Sequence, residues 1–405
     1  MKRILYQCII FLIFNIIISW AKLDIKYNTW DINDIIIEDV NSEIDSLDDI
    51  NDIIFKSENI PIKFWNITEK NELKQKINDE DVVGISSSTT FTDFYSQLSD
   101  TEKQFYDTIY EHSSKDVPDL TVKVEVTLRN RNAFIEQLKD FSERIFTALA
   151  YDRPELWWIG TYQISMSSTI KINHYYVIFD ITPEDSIFYG YTGSKIKKLN
   201  DLIIMAKDDI MNQISNMKLT TDYAILRYIH DYLITKIVYT LDESMTHIRT
   251  IYGALIDNKC VCEGYAEAFQ YIAQQYGINC IIARSSEHEW NFVEMDGKWY
   301  VVDVTYDDPI INNRITPQGY NDNLRTNYFL IGTDHKIDYN TKYSNDPDHF
   351  LVYSGYSDNV MVYYPDIETK DYVPSELEIE ELDLIDLKNI TNSGKYFKLF
   401  LYIYI

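Results

Sequence analysis

Three residues in the second half of the chain, a cysteine, a histidine and an aspartate, could together carry out nucleophilic chemistry. Cys262 begins a stretch with helical apolar spacing, and backbone N–H groups at a helix N-terminus stabilise a thiolate. A thiolate is the form of cysteine that attacks a carbonyl carbon and forms a thioester. Because free cysteine is also a common core residue, Cys262 alone is weak evidence for catalysis.

A predicted hairpin supplies the histidine and the aspartate. Asp296-Gly297 is a strong turn signal, and a two-residue loop there pairs Met295 with Lys298. Counting back along the antiparallel ladder places His288 and Asp303 on one face as diagonal neighbours, roughly 7–8 Å apart at the backbone. The sequence therefore predicts that this carboxylate orients this imidazole.

The competing interpretations of these two residues are ordinary ones, a polar strand end for His288 and a turn-initiating carboxylate for Asp303. Asp303, however, lies in the apolar run 300–304, where an unpaired buried charge would be costly. His288 is the partner that the register supplies. We therefore predict catalytic roles for Cys262 as nucleophile, His288 as base and Asp303 as orienting group.

No other histidine has a comparable carboxylate and thiol in the sequence; the others are His112, His174, His230, His247, His335 and His349. No His/Cys cluster has zinc spacing, no acidic run forms a calcium loop, and no glycine-rich loop for phosphate is present. The sequence therefore predicts neither a metal nor a cofactor.

The elements that must position these residues follow from apolar periodicity. Helices are predicted over 98–110 and 134–149, in two pieces over 196–240 with a break at 219–221, and over 262–276 before Gly277. Strands are predicted over 163–168, 169–181, 278–284, 288–294 and 299–304. The expected fold class is α+β.

The domain organisation is predicted from composition and pattern. The expected units are a signal peptide (1–21), an acidic, loosely ordered N-terminal extension (22–95), an α+β N-terminal domain (96–195), a catalytic domain (196–345) and a β-rich C-terminal tail (346–405).

The N-terminal targeting signal and the net charge of the chain limit the location and the classes of partner that we expect. Lys2 and Arg3 precede an apolar run that ends in small residues at Ala21, which is typical of a secretory signal peptide, with an uncleaved anchor as the alternative. We predict a secreted or cell-surface protein without stable membrane insertion after cleavage, and Asn66 and Asn389 begin glycosylation sequons. A formal charge of -27 argues against nucleic-acid binding.

Because disulfides form in secreted proteins, the number of cysteines, four in the full sequence, bears on their pairing. Cys8 leaves with the signal peptide, so Cys260, Cys262 and Cys280 remain. An odd number suggests one disulfide and one free thiol, with Cys260 and Cys280 as the candidate pair. Three reduced thiols are the alternative, and spacing does not decide between the two.

Three motif blocks resemble those of transglutaminase-like domains. They are Cys262–Ala266 (CEGYA), His288–Asn291 (HEWN) and Trp299–Asp308 (WYVVDVTYDD), with a similar lead-in at 252–255 and 230–232. The resemblance covers residues 196–345 and implies a papain-like core, in which a nucleophile helix packs on an antiparallel sheet. Glu289 departs from the family, which usually has a small residue after the histidine.

The resemblance implies a secreted thiol acyltransferase, amidase or protease that acts on a protein or peptide substrate through a thioester on Cys262. His288 would act as base and then as acid, and the backbone N–H of Cys262 would supply half of an oxyanion hole. One alternative is a non-catalytic binding or scaffolding module of the same fold. The other is a structural protein of the wall or surface.

Overall fold

The computed structural model describes residues 53–62, 92–308, 324–352 and 362–385, and the backbone of residues 35–36. The signal peptide, Cys8, both glycosylation sequons and residues 386–405 lie outside the described residues. The described part is a mixed α+β fold with two antiparallel sheets.

The strands, in chain order, are β1 Ile35–Ile36, β2 Ile53–Lys56, β3 Ile60–Pro61, β4 Thr121–Leu128, β5 Thr161–Ser168, β6 His174–Asp180, β7 Val238–Tyr239, β8 Lys259–Cys260, β9 Cys280–Arg284, β10 Glu289–Met295, β11 Lys298–Val302 and β12 Phe329–Ile331. The α-helices are α1 Asp100–Ser113, α2 Arg131–Asp152, α3 Gly193–Met217, α4 Asp222–Lys236, α5 Cys262–Gln274 and α6 Glu376–Leu382.

The first sheet has the order β1-β4-β6-β5-β2, with β3 paired to β5. Helices α1 and α2 pack together, and α1 also contacts β4. Phe146 of α2 stacks on Tyr162 of β5 with ring centroids 3.8 Å apart, and its edge meets Phe179 of β6. Aromatic burial of this kind fixes the helices on the sheet.

The second sheet has the order β12-β11-β10-β9, and α5 packs on β9 and β10. Asn291 of β10 donates from Nδ2 to the Ala266 carbonyl at 3.0 Å, which ties the middle of the sheet to the helix. Gln270 of α5 donates to the Tyr151 carbonyl of α2 at 2.6 Å. The two sheets therefore share one continuous core through α2 and α5.

Local signals in the sequence explain the helix ends. Thr221 caps α4 by accepting from the Ala224 N–H, as predicted for the break at 219–221. Ser99 and Glu102 form a reciprocal capping box at the start of α1. Gly277 follows α5 with a φ of +74°, a conformation that favours glycine.

The turn that sets the site's register is also as predicted. Asp296 and Gly297 both have positive φ, at 53° and 74°, and Met295 pairs with Lys298. These angles match the twist of the flanking strands, which is why Asp-Gly favours a two-residue hairpin.

The predicted N-terminal extension is wrong where its residues are described. β2 pairs with β5, β3 pairs with β5, and β1 pairs with β4. Their apolar runs complete the first sheet, since strand edges need partners for their backbone groups. These residues belong with the 96–195 region and not to a separate extension.

The predicted β-rich tail is also corrected. Within the described residues 362–385, pairing is limited to a bridge between Ile367 and Trp299, and α6 follows. Ser375 and Glu378 form a capping box there, and the sequence that follows is rich in strong helix formers. Glu381 accepts hydrogen bonds from the backbone N–H groups of Thr220 and Thr221, so α6 packs against the start of α4.

Among the described helices, none combines the length and the apolar composition needed to cross a membrane.

Candidate active site

Cys262 is the first residue of α5, and Val261 alone separates it from the short strand β8. Val261 before it donates its N–H to the Ile248 carbonyl at 2.9 Å, which anchors the strand-to-helix junction. A side chain at Gly264 would put its Cβ 2.5 Å from the Cβ of Cys260 and 3.1 Å from the Thr250 carbonyl oxygen. Glycine therefore lets the first turn of α5 pack against β8, and this turn holds the thiol in place.

His288 and Asp303 lie at the neighbouring ends of β10 and β11. The ladder runs from Met295–Lys298 to Asn291–Val302. Asp303 follows the last pair directly, and His288 lies three residues before it on the other strand. His288 Nε2 and Asp303 Oδ2 are 2.5 Å apart, and both side chains are buried. The structure thus brings the two together as the register predicts.

Charge and burial act in opposite directions on this pair. Burial disfavours the imidazolium, but the charge and hydrogen bond of Asp303, together with Cys262, raise the pKa of His288 well above its ordinary value. Burial alone would raise the pKa of Asp303, yet the charges and hydrogen bonds of His288 and His349 hold it below its ordinary value. Asp303 therefore stays ionised, and its Oδ2 accepts the Nε2–H of His288, which fixes the tautomer in which Nδ1 can accept a proton.

The contact with Asp303 uses Nε2, so Nδ1 is the ring nitrogen of His288 that is left for the thiol. In the structure Cys262 Sγ donates to Glu263 Oε2 at 3.0 Å. Glu263 in turn forms a buried ion pair with Arg249, with Nη1 and Oε1 2.5 Å apart. The Cys262 thiol therefore lies between the Glu263 carboxylate, which accepts its hydrogen bond, and the His288 imidazole, which can take its proton.

A cleft of about 410 Å³ opens on these residues. Its walls contain Cys262 and His288, and its remaining described lining is polar or aromatic: Tyr239, Glu287, Thr305, Tyr306, Asp308 and Asp348. The predicted nucleophile and base thus share one solvent-connected space, large enough for a side chain or peptide segment.

Sequence reasoning missed His349. Its Nε2 lies 2.9 Å from Asp303 Oδ2, and its Nδ1 lies 2.7 Å from Asp346 Oδ2. The predicted boundary at 345/346 assigned both residues to the tail, and that boundary is corrected, because they pack against the end of β11. Their Asp-Pro-Asp-His spacing indicates a local turn but not a contact with Asp303, 46 positions earlier.

His230 also has a carboxylate setting that the sequence did not reveal. Its Nδ1 contacts Asp231 Oδ1 at 2.8 Å and its Nε2 contacts Asp307 Oδ2 at 3.1 Å. Burial opposes the imidazolium, but these two carboxylates raise the pKa of His230. Its side chain is fully buried.

Cys260, Cys262 and Cys280 are all free thiols in the structure, so the candidate bridge between Cys260 and Cys280 is absent there. Burial raises the pKa of Cys260 and of Cys280 well above the ordinary value for a thiol. Cys262 is the one of the three that lines the cleft.

One group of described side chains is close enough to be considered for a metal ion. The ligand atoms of His288, Asp303 and His349 lie within 4.8 Å of one another. Direct hydrogen bonds of 2.5 and 2.9 Å already use the atoms that would bind the ion. A hydrogen-bonded network therefore accounts for this cluster better than a metal centre.

Comparisons with known proteins add little. No protein-family model and no curated protein match the chain. A solved structure described as "Crystal structure of a TGase" matches with 13% sequence identity and a TM-score of 0.25, over 39% of this chain and 47% of that one. The match thus spans less than half the length of that TGase and carries no argument about the site, which stands on the contacts above.

Proposed function

We propose that this chain is a transglutaminase-like thiol enzyme that acts on amide bonds of a protein or peptide through a thioester on Cys262. The observation that carries the proposal is the 2.5 Å contact between His288 and Asp303 beside a thiol at a helix N-terminus, within one cleft. Nucleophile, base and orienting group are the parts that covalent acyl transfer requires. The three motif blocks support the same family, and the packing of α5 on β9 and β10 is compatible with a papain-like core.

The reaction would run in two halves. His288 Nδ1 takes the proton of Cys262, and the sulfur attacks the carbonyl carbon of a carboxamide or peptide bond. The imidazolium then gives its proton to the leaving ammonia or amine, and a thioester remains. In the second half His288 deprotonates an amine or a water, which displaces the sulfur and regenerates the thiol.

Two donors would stabilise the oxyanion of each half-reaction. The backbone N–H of Cys262 at the start of α5 is one. Tyr239 is our candidate for the second, because it lines the same cleft. Burial, followed by the nearby Cys262 and Glu263, raises the pKa of Tyr239, so its hydroxyl keeps its proton for donation at neutral pH.

The cleft favours a positively charged acceptor over a negatively charged one. Its described lining contains the carboxylates of Glu287, Asp308 and Asp348, and no lysine or arginine. An amine acceptor would be attracted by these charges in its ammonium form and would then lose a proton to His288. Transfer to an amine is therefore part of the proposal, with hydrolysis as the competing second half-reaction.

The test is incubation with a glutamine-containing protein, with and without a labelled primary amine, followed by mass analysis. Incorporation of the label means transfer, a mass gain of about one dalton means hydrolysis of a carboxamide, and chain cleavage means proteolysis. The Cys262→Ala variant is the control and should be inactive in all three assays. Full activity in that variant would exclude the mechanism.

Secretion remains part of the proposal and rests on the first 21 residues. N-terminal sequencing of the protein recovered from the medium of expressing cells tests it, with cleavage expected after Ala21. An intact N-terminus in the membrane fraction would favour the uncleaved anchor.

The non-catalytic alternative is less well supported. A scaffolding module that has lost its activity would be expected to lack a member of the Cys–His–Asp set. Here Cys262 and His288 line one cleft, and Asp303 contacts His288 behind it. No described feature favours the structural-protein alternative.

A further inference from the structure

A second histidine contacts the carboxylate that supports His288. Asp303 Oδ2 accepts hydrogen bonds from Nε2 of both His288 and His349, at 2.5 and 2.9 Å. Asp303 Oδ1 accepts from the Tyr306 N–H at 3.0 Å. Both oxygens of this buried carboxylate are therefore occupied. Among the described residues that bond these oxygens, His349 is the one from outside the 288–306 segment.

His349 is itself held in a single orientation. Its Nδ1 faces Asp346 Oδ2 at 2.7 Å while its Nε2 faces Asp303, and its side chain is fully buried. Carboxylate oxygens thus hold the ring at both of its nitrogens. Aromatic rings from Trp290, Tyr306, Tyr328 and Tyr343 surround it with centroids 4.8–5.5 Å away, which restricts its movement.

Among the described residues, three tyrosines, two aspartates and one histidine are the titratable groups in contact with His349. Burial is the largest cause that raises the pKa of Tyr306, Tyr328 and Tyr343, so all three hydroxyls stay neutral. The remaining charged groups in ring or hydrogen-bond contact with His349 are Asp346, Asp303 and His288. Two carboxylates thus face two imidazoles. Asp348 and Asp307 lie one shell further out, bonded to Tyr306 and to the Tyr328 N–H.

We propose that His349, anchored by Asp346, is a positioning residue that holds Asp303 against His288 and limits how strongly Asp303 attracts the His288 proton. This inference rests on the proposed function of the Cys262 site. Without His349, Asp303 Oδ2 keeps a single side-chain partner and can rotate away from the geometry in which it orients the imidazole. With His349 present, a second hydrogen bond shares the Asp303 oxygen, so the His288 proton stays transferable to a leaving group.

Two substitutions of His349 test its hydrogen bond to Asp303. His349→Phe keeps an aromatic ring but removes the donor, and we expect kcat to fall about 10- to 100-fold, with little change in KM, because misplacement of the base by a fraction of an ångström is costly. His349→Gln keeps a neutral donor, and we expect it to recover most of that loss.

The pH profile gives a readout that a structural role would not move. In His349→Phe, Asp303 Oδ2 loses one of its two side-chain hydrogen bonds, so the carboxylate attracts the His288 proton more strongly. The midpoint of iodoacetamide labelling of Cys262 should then move to lower pH by about half a unit or more. His335→Phe is the matched control, since it breaks a comparable contact to Asp371 at the surface and should leave kcat and the midpoint unchanged.

The failures are distinguishable. If His288→Gln keeps wild-type activity, the proposed function itself is wrong. If His288→Gln is inactive while His349→Phe has wild-type kcat, or if the Gln and Phe variants lose equal activity, only the positioning role is overturned. Zinc bound one-to-one by the wild type and lost from His349→Phe also overturns it, because His349 would then be a metal ligand. Should His349→Phe not fold, Asp346→Ala removes the anchor, and a fall in kcat of at least about threefold is expected from it.

Discussion

Two buried histidine–carboxylate networks lie close together in this molecule, and they differ in what their ring nitrogens are left to do. His230 has both nitrogens engaged, one by Asp231 and one by Asp307. His288 engages Asp303 through Nε2 alone and lines a cleft with Cys262. The backbone of Tyr328 joins the two networks, since its carbonyl accepts from the Asp303 N–H and its N–H donates to Asp307.

The difference shows that a buried His–Asp contact is not in itself a sign of catalysis. His230 lies between two carboxylates and has no nitrogen free to accept a proton, so it cannot act as a base. A histidine with one carboxylate, one free nitrogen and access to a thiol can act as a base. The His230 network should therefore govern stability and the His288 network activity.

The largest expected effect is on activity. His288→Gln should lower kcat/KM by on the order of 10³-fold or more, because the thiol loses its base. The free energy of unfolding should change little, since Asp303 keeps His349 and the Tyr306 N–H as partners. Turnover and thermal unfolding of the same preparation measure the two effects. A severe loss of stability would contradict the assignment of activity to the His288 network and stability to the His230 network.

The converse effect is expected at the other network. His230→Phe should lower the free energy of unfolding by about 3–5 kcal/mol, because Asp307 loses its imidazolium partner inside the core. Activity per folded molecule should remain. Denaturant titration measures the loss.

The same variant makes a prediction about pH. The folded-state pKa of His230 is raised, so its contribution is fully present at acidic pH and is lost as pH rises through that pKa. The penalty of His230→Phe should therefore be larger at pH 6 than at pH 9. An equal penalty at both would contradict a charged His230.

A buried carboxylate outside both networks sharpens the contrast, because backbone N–H groups are its partners in place of a histidine. Asp152 accepts from the backbone N–H groups of Phe94 and Tyr95, and burial raises its pKa from 3.8 to about 7. The folded state binds this proton more tightly than the unfolded state, so stability should fall as pH rises from about 4 to about 7. Asp152→Asn should flatten that slope in thermal melts. A slope unchanged in the variant would assign it to other groups.

The smallest effect is expected far from both networks. Glu381→Gln weakens the cap that α6 places on the start of α4, and we expect a loss of about 1 kcal/mol in the free energy of unfolding, with unchanged activity. Burial opposes ionisation, but the Thr220 and Thr221 hydrogen bonds lower the pKa of Glu381 to about 2. The cap should hold above the ordinary carboxyl pKa and weaken only as pH falls toward 2.

The sequence predicts those parts of the fold that depend on short-range signals. Periodicity and caps give α1 to α5 within a few residues, and Asp296-Gly297 gives the register that places His288 beside Asp303. The antiparallel ladder carries that information from the turn to both residues, since every pair follows from the one before.

Contacts between distant segments were not predictable in this way. His349 reaches Asp303 from 46 residues away, and β2 joins β5 across more than a hundred positions. Neither contact follows from local apolar periodicity. The packing of the loop that carries His349 and of the sheet edge at β2 determines them. The hydrogen bond from the Cys262 thiol to Glu263 was not predictable either. Although the two residues are neighbours in the sequence, the orientation of Glu263 depends on its ion pair with Arg249.

The most direct test of the central claim is mass-spectrometric mapping of iodoacetamide adducts on the native protein at pH 7, in the wild type and in His288→Gln. The account predicts modification of Cys262 alone in the wild type, because burial holds the pKa of Cys260 and Cys280 far above neutrality, and a marked drop in its rate in the variant. Equal labelling of all three thiols, or a Cys262 rate that does not depend on His288, would contradict it.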